Sequence, residues 1–129
     1  MNKLKNKMIL VVEDEPALLE AVKLKLIKAG IEVLTAITGE EALAVLGQKK
    51  PNLVWMDVLL PTMNGLEVLR KIRENPETKD LSVVIVSVSA SPEKIKQAFS
   101  LNVLDYIVKS EFTIDSIIKK ILDLVNQLP

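Results

Sequence analysis

The sequence predicts an α/β fold: a five-stranded parallel sheet covered on both faces by helices, in a three-layer sandwich. Three observations carry the prediction. Short apolar runs rich in Val, Ile and Leu recur along the chain, the pattern of strands buried on both faces. Each run is followed by a stretch of helical spacing. Five such strand–helix units fill the 129 residues, and that alternation is what produces a parallel sheet with crossover helices.

Met8-Ile9-Leu10-Val11-Val12 is the first apolar run. Pro16 follows at a helix N1 position, where its missing N–H has no partner to lose. Leu18, Leu19, Val22 and Leu26 form the stripe of that helix, and Gly30 suits the residue just past its end. Glu32–Ile37 reads as the second strand. Thr38-Gly39-Glu40-Glu41 is a capping-box pattern with Thr38 as N-cap and Glu41 at N3. The helix it opens carries Ala42, Leu43 and Leu46, and Gly47 ends it. Leu53–Met56 is the third strand, running into Asp57. A loop with Pro61, Asn64 and Gly65 leads to a helix over Gly65–Glu74, with Leu66, Leu69 and Ile72 inward. Val83–Val88 is the fourth strand. Ser91 and Pro92 form an N-cap and N1 pair for a helix through Ile95, Ala98 and Phe99. Tyr106–Val108 is a short fifth strand. The last helix has Ile114, Ile117, Ile118, Ile121, Leu122 and Val125 on one stripe, the clearest amphipathic pattern in the chain. Residues 1–7 read as a flexible lead-in and residues 8–127 as one domain.

Composition narrows the chemistry. Hydrophobic residues make up 49% of the chain and the mean hydropathy is +0.28, so it collapses into a core. Seventeen basic residues balance seventeen acidic ones, which leaves no overall basic excess for direct nucleic-acid binding. Cys and His are both absent. That excludes disulfides, thiolate metal sites and every mechanism needing an imidazole on this chain. What remains is carboxylate, hydroxyl and lysine chemistry, with a hard cation. No apolar run reaches the length of a membrane span. Lys3, Lys5 and Lys7 resemble the start of a signal peptide, but the apolar run behind them is too short and ends in Glu13-Asp14. A cytoplasmic protein with no membrane partner is expected.

In parallel α/β sheets ligands bind at the carboxyl ends of the strands. Here those ends carry Glu13-Asp14, Asp57, Ser87 and Lys109. Each has a plainer reading alone: a turn or N-cap aspartate, acids at a helix start, a packed hydroxyl, a solvated lysine. Their joint placement is what points to a site. With a flavodoxin-like strand order 2-1-3-4-5, strands one and three are neighbours and three carboxylates converge. Such a cluster needs a proton or a cation to relieve its repulsion, and oxygen ligands of this kind suit Mg²⁺.

Four segments carry a family resemblance: Val-Glu-Asp-Glu-Pro at 12–16, Asp57-Val58-Leu59-Leu60-Pro61-Thr62-Met63-Asn64-Gly65, the strand ending at Ser87, and Asp105-Tyr106-Ile107-Val108-Lys109. Over about residues 7–127 the sequence resembles the receiver domains of bacterial two-component response regulators, with a flavodoxin-like (βα)5 fold. The resemblance implies that Asp57 is a phosphoacceptor fed by a phospho-histidine donor. It implies a Mg²⁺ ion bound by Asp14 and Asp57, by Glu13 through water and by the backbone carbonyl of Leu59. Ser87 would donate to a phosphoryl oxygen, Lys109 would pair with Asp57 and then with the phosphoryl group, and Tyr106 would be the aromatic that follows Ser87. The implied partners are a sensor histidine kinase or phosphotransfer protein, and an output domain, partner protein or second copy at the face of the fourth helix, fifth strand and last helix. The implied domain is not an enzyme beyond its own phosphorylation and slow self-dephosphorylation.

The chemistry is coherent on its own terms. An ionised carboxylate is already a nucleophile and forms an acyl phosphate, and cations near the equatorial oxygens meet the charge of the transition state. Leu59 and Ser89 stand where side chains overhang the phosphoryl group; neither positions water, so hydrolysis is expected to be slow. Three departures from the family pattern stand out. Ser110 replaces the proline after the lysine, so a trans bond and an altered loop are expected. Asn102 replaces a glycine, as a residue tolerant of the left-handed region. Asn64 replaces an acid and reads as neutral. Two alternatives compete. A haloacid-dehalogenase-like phosphatase needs its nucleophile at the end of strand one with a second Asp two residues on, where residues 13–15 are Glu, Asp, Glu. A non-phosphorylated pseudo-receiver or flavodoxin-like binding module fits less well with Asp57, Ser87 and Lys109 all present.

Overall fold

The computed structural model describes residues 4–129. Five strands alternate with five helices: β1 (Met8–Val12), α1 (Pro16–Lys28), β2 (Glu32–Ala36), α2 (Gly39–Leu46), β3 (Leu53–Met56), α3 (Gly65–Glu74), β4 (Val83–Ser87), α4 (Pro92–Ser100), β5 (Asp105–Val108) and α5 (Ile114–Gln127). Every strand pairing is parallel and the sheet order is β2-β1-β3-β4-β5, the order expected from the sequence.

The apolar runs are continuous because the sheet is buried twice. Successive side chains of a strand point to opposite faces. Ile9, Val11, Leu53, Trp55, Val84 and Val86 pack with Val22 and Leu26 of α1 and Ile117, Ile118, Ile121 and Val125 of α5. Leu10, Val12, Val54, Met56, Val83 and Ile85 pack with Ala42 and Leu46 of α2, Val68, Leu69 and Ile72 of α3, and Ala98 of α4. Each such side chain, fully buried, contributes roughly 1.5–3 kcal/mol. With five strands sharing two cores, the strand ends become rigid supports for the loops that leave them.

The helix starts follow local chemistry. Thr38 Oγ1 accepts from Glu41 N–H at 3.0 Å, Ser91 Oγ from Lys94 N–H at 3.3 Å and Thr113 Oγ1 from Ser116 N–H at 3.1 Å, as N-caps do. Asn64 is the N-cap of α3: its Oδ1 accepts from Leu66 N–H at 2.9 Å and Glu67 N–H at 3.0 Å, a role in which Asn and Asp are about equally good. Asn102 has φ 60°, the left-handed conformation its sequence position required.

Differences from the sequence reading sit at element ends. β2 stops at Ala36 and β4 at Ser87, because Ile37 and Val88 lie beyond the ladder and are exposed at 48% and 57%. β5 starts one residue early, at Asp105, which pairs with Val84; an aspartate is a poor strand signal. Phe99 lies on α4 but is 47% exposed. No cis peptide occurs among the described residues, and Lys109–Glu111 form one turn of 3₁₀ helix between β5 and α5. Residues 1–3 of the expected lead-in lie outside the described residues. Leu4 packs against the α1–α5 core, and Lys7 Nζ donates to the main-chain oxygens of Leu128 and Pro129, each at 2.9 Å.

Candidate functional site

Parallel register brings the strand ends together. Val12 pairs with Met56, and the ladder continues for one step as Asp57 N–H donates to Val12 O at 3.1 Å and Glu13 N–H to Ala36 O at 3.0 Å. Glu13 and Asp57 therefore leave adjacent strands side by side. Ser87 ends β4 opposite Val108, and Lys109 follows directly. The buried polar side chains of the described residues are Glu13 at 1% exposure, Asp57 at 4%, Ser87 at 0% and Thr78 at 5%. Three of the four belong to this cluster. Burying polar groups so densely is unfavourable unless each has a partner, and here each does.

Lys109 Nζ donates to Glu13 Oε1 at 2.5 Å and to Asp57 Oδ2 at 2.8 Å. Asp57 Oδ1 accepts from Ser87 Oγ at 2.7 Å and from Leu59 N–H at 3.0 Å. Both oxygens of Asp57 are thus surrounded by donors. Burial pushes the Glu13 carboxyl above its ordinary range, against the bond and charge of Lys109 and with the charge of Asp57. Burial also works against the Lys109 ammonium, but its bonds to Asp57 and Glu13 outweigh that and hold its pKa above the ordinary lysine value. Both shifts mark a site where charge is concentrated away from water.

One carboxylate oxygen each from Glu13, Asp14 and Asp57 lies within 4.8 Å of the others, with Asp14 exposed at the mouth. Such a spread of hard oxygen donors, open to solvent on one side, fits a small divalent cation that keeps some of its waters. Leu59 stands at the same mouth, its side chain half exposed and its N–H turned to Asp57.

The loop between β3 and α3 is shaped by one close approach. A Cβ on Gly65 would stand 2.0 Å from Asp57 O and 2.8 Å from Asp57 C, so only glycine lets α3 begin against the backbone of the acceptor residue. Gly65 N–H closes this loop on Val58 O at 2.8 Å. Thr62 in the same loop has φ 62°, an uncommon conformation for a β-branched residue, and its hydroxyl donates to the Glu40 carboxylate of α2.

The strand-end residues singled out in the sequence, Glu13, Asp14, Asp57, Ser87 and Lys109, meet here. Tyr106 sits one layer below, buried against the α2–α4 core, with its hydroxyl donating to Ser89 O. Ser89 N–H donates to Ser87 Oγ at 3.2 Å, so Ser89 is the physical link between Ser87 and Tyr106. The ring stands inward while Ser87 is bonded to Asp57. Lys94 of α4, which no sequence pattern singled out, donates from Nζ to Ser89 Oγ. Its link to the site depends on how the β4–α4 loop folds back, and a lone lysine in a helix carries no signal of that.

Comparison with known proteins identifies the family. The family model for the response regulator receiver domain matches residues 9–122. The phosphate regulon transcriptional regulatory protein PhoB of Rhizobium meliloti (strain 1021) is 34% identical over 101 residues, covering 78% of this chain and 44% of that protein. The chain spans about half the length, or less, of the curated relatives it matches. Among solved structures, the Mn²⁺-bound form of response regulator Rcp1 superposes with TM-score 0.85 at 30% identity, covering 95% of this chain and 99% of that one. The phosphorylated cyanobacterial phytochrome response regulator RcpA superposes with TM-score 0.80 at 31% identity, covering 92% and 90%. With the match extending over nearly all of the sheet and its helices, this chain belongs to the response regulator receiver domain family.

Proposed function

We propose that the chain is the phosphoacceptor of a two-component phosphorelay, with Asp57 as the residue phosphorylated. The observation that carries this is a buried carboxylate with both oxygens held by donors from three separate segments, Lys109, Ser87 and Leu59, beside two further carboxylates.

In the transfer, an oxygen of Asp57 gives an electron pair to phosphorus. The phosphorus–nitrogen bond of a phospho-histidine donor breaks, and its electron pair leaves with the imidazole. Asp57 needs no base because it attacks ionised. The Lys109 ammonium, already on Asp57 Oδ2, follows the charge onto the phosphoryl oxygens, and the Ser87 hydroxyl turns from Asp57 to one of them. Glu13, Asp14, Asp57 and the Leu59 carbonyl are the groups that would hold Mg²⁺. Bound there, the ion supplies charge neutralisation for the equatorial oxygens and for the three acids. The Mn²⁺-bound Rcp1 and the phosphorylated RcpA support both halves of this reading by similarity.

The domain then acts as a switch rather than as an enzyme with a turnover of its own. Ser87, Ser89 and Tyr106 connect the acceptor to α4 and β5, and Phe99 on α4 and Leu104 before β5 leave apolar surface exposed there. That face, with α5, is where an output domain, partner protein or second copy would read the phosphorylated state; a histidine kinase or phosphotransfer protein would supply the phosphoryl group. No helix among the described residues is long and apolar enough to cross a membrane, which fits a place in the cytoplasm. Incubation with acetyl phosphate and Mg²⁺ tests the reading. One phosphoryl group should appear in the intact mass of the wild type and be absent from Asp57→Asn or when the metal is chelated; an unlabelled wild type would overturn it.

A further inference from the structure

We infer that Lys94 is a second cationic ligand of the phosphoryl group on Asp57, and that through it α4 senses that group directly. The inference rests on the phosphoacceptor reading above.

Ser89 is tied at three points. Its N–H donates to Ser87 Oγ at 3.2 Å, its carbonyl accepts from Tyr106, and its hydroxyl accepts from Lys94 Nζ. Ser87 Oγ in turn lies 2.7 Å from Asp57 Oδ1. The Lys94 ammonium is therefore held against the loop whose backbone touches the hydroxyl that touches the acceptor. It is half-buried and makes no ion pair: the ion pairs among the described residues are Lys25–Asp115 and those of Lys109 with Glu13 and Asp57. An ammonium without a carboxylate thus rests on the neutral hydroxyl of Ser89, a residue two hydrogen bonds from the acceptor. Phosphorylation replaces the single charge of Asp57 with a group of about −2 charge carrying three acceptor oxygens. Those oxygens offer the Lys94 ammonium an anionic acceptor in place of a neutral hydroxyl, and a lysine is a flexible point charge able to transfer from one acceptor to the other. Lys94 lies in the first turn of α4 (Pro92–Ser100), so its movement draws on the helix that borders the proposed output face.

The charge pattern gives the idea opposite signs in two measurements. Before phosphorylation Lys94 repels a cation at the acidic cluster; afterwards it attracts the phosphoryl group. Lys94→Met should slow labelling by acetyl phosphate about tenfold at equal donor concentration. In calorimetric titration without phosphodonor, the same variant should bind Mg²⁺ as tightly as the wild type or more tightly. Lys94→Arg, which keeps the charge, should label within about threefold of the wild type. Equal losses in Lys94→Met and Lys94→Arg would show that the side chain only packs the loop and would overturn the inference. So would unchanged labelling in Lys94→Met, or Mg²⁺ affinity falling together with labelling. An unlabelled wild type would instead overturn the phosphoacceptor reading, and this inference with it.

Discussion

Replacing Lys109 with Met removes the ammonium that stands between Glu13 and Asp57. The three side chains are 15%, 2% and 6% exposed, so water does little to screen what is left. At the 2.8 Å separation of Lys109 and Asp57, an effective dielectric of about 20 gives an attraction of about 6 kcal/mol. The desolvation of the charges offsets much of this, and the net effect of removing one partner from a buried pair is about 3–5 kcal/mol. Met keeps the apolar stem, so the loss is mainly electrostatic. With a urea dependence of about 2 kcal/mol per molar, a loss of about 4 kcal/mol lowers the unfolding midpoint by about 2 M. Trp55 is the single tryptophan of the chain and is buried in β3, so its fluorescence reports the transition. Mg²⁺ relieves the same repulsion, and saturation to about 100 times Kd contributes about 2.7 kcal/mol by linkage. With Lys109 gone the acidic cluster binds Mg²⁺ more tightly, so at one fixed Mg²⁺ concentration the midpoint of Lys109→Met should rise more than that of the wild type. A metal-free midpoint lowered by less than about 0.5 M, or a smaller Mg²⁺ effect in the variant, would show that Lys109 does not neutralise Glu13 and Asp57.

Two further outcomes are expected. Tyr106 is the only tyrosine, and burial, aided by the charge of Asp57, raises its pKa above 10.0. The stability gained by keeping this phenol neutral is complete below the unfolded value and is lost as pH rises through the folded one. The phenolate absorbance of the folded protein should thus appear at higher pH than in the urea-unfolded chain, and Asp57→Asn should bring the two closer; coincident titrations would contradict the inward position of the ring. The lifetime of the phosphorylated state should shorten about tenfold, about 1.4 kcal/mol of barrier, in Leu59→Asn and in Ser89→Glu. Leu59 obstructs water without orienting it, while Ser89 is too short to position water, so either change helps an in-line attack; unchanged lifetimes in both would show that water enters by another route.

The fold was legible because the buried strands repeat one signal. Ile9 and Val11 face one core, Leu10 and Val12 the other, and an apolar run with no alternation records both at once. Strand ends were less legible. Ile37 and Val88 are apolar and β-branched, yet they extend past the hydrogen-bonded ladder into solvent, and a pattern of residue types does not encode where pairing stops. At the site, Glu13, Asp14, Asp57, Ser87 and Lys109 were legible because parallel topology sends every strand end to the same edge. The link from Ser87 through Ser89 to Tyr106 and Lys94 was not. It consists of main-chain and side-chain bonds made by a loop, and nothing periodic precedes them. Thr62 was hidden for a related reason: a β-branched residue argues against a positive φ, yet Thr62 adopts one in the loop between β3 and α3. Asn64 was read only as a replaced acid, although a helix beginning at Gly65 already puts it at the N-cap position.

A phosphoryl group on the Asp57 carboxylate has a direct chemical signature. Borohydride reduction of the protein after treatment with acetyl phosphate and Mg²⁺ converts an aspartyl phosphate to homoserine, which peptide mass mapping then locates. Homoserine is expected at position 57, dependent on Mg²⁺, with Asp14 and Glu13 unmodified. Homoserine at another aspartate, or a phosphoryl group that survives reduction on a serine or threonine, would contradict phosphorylation at Asp57.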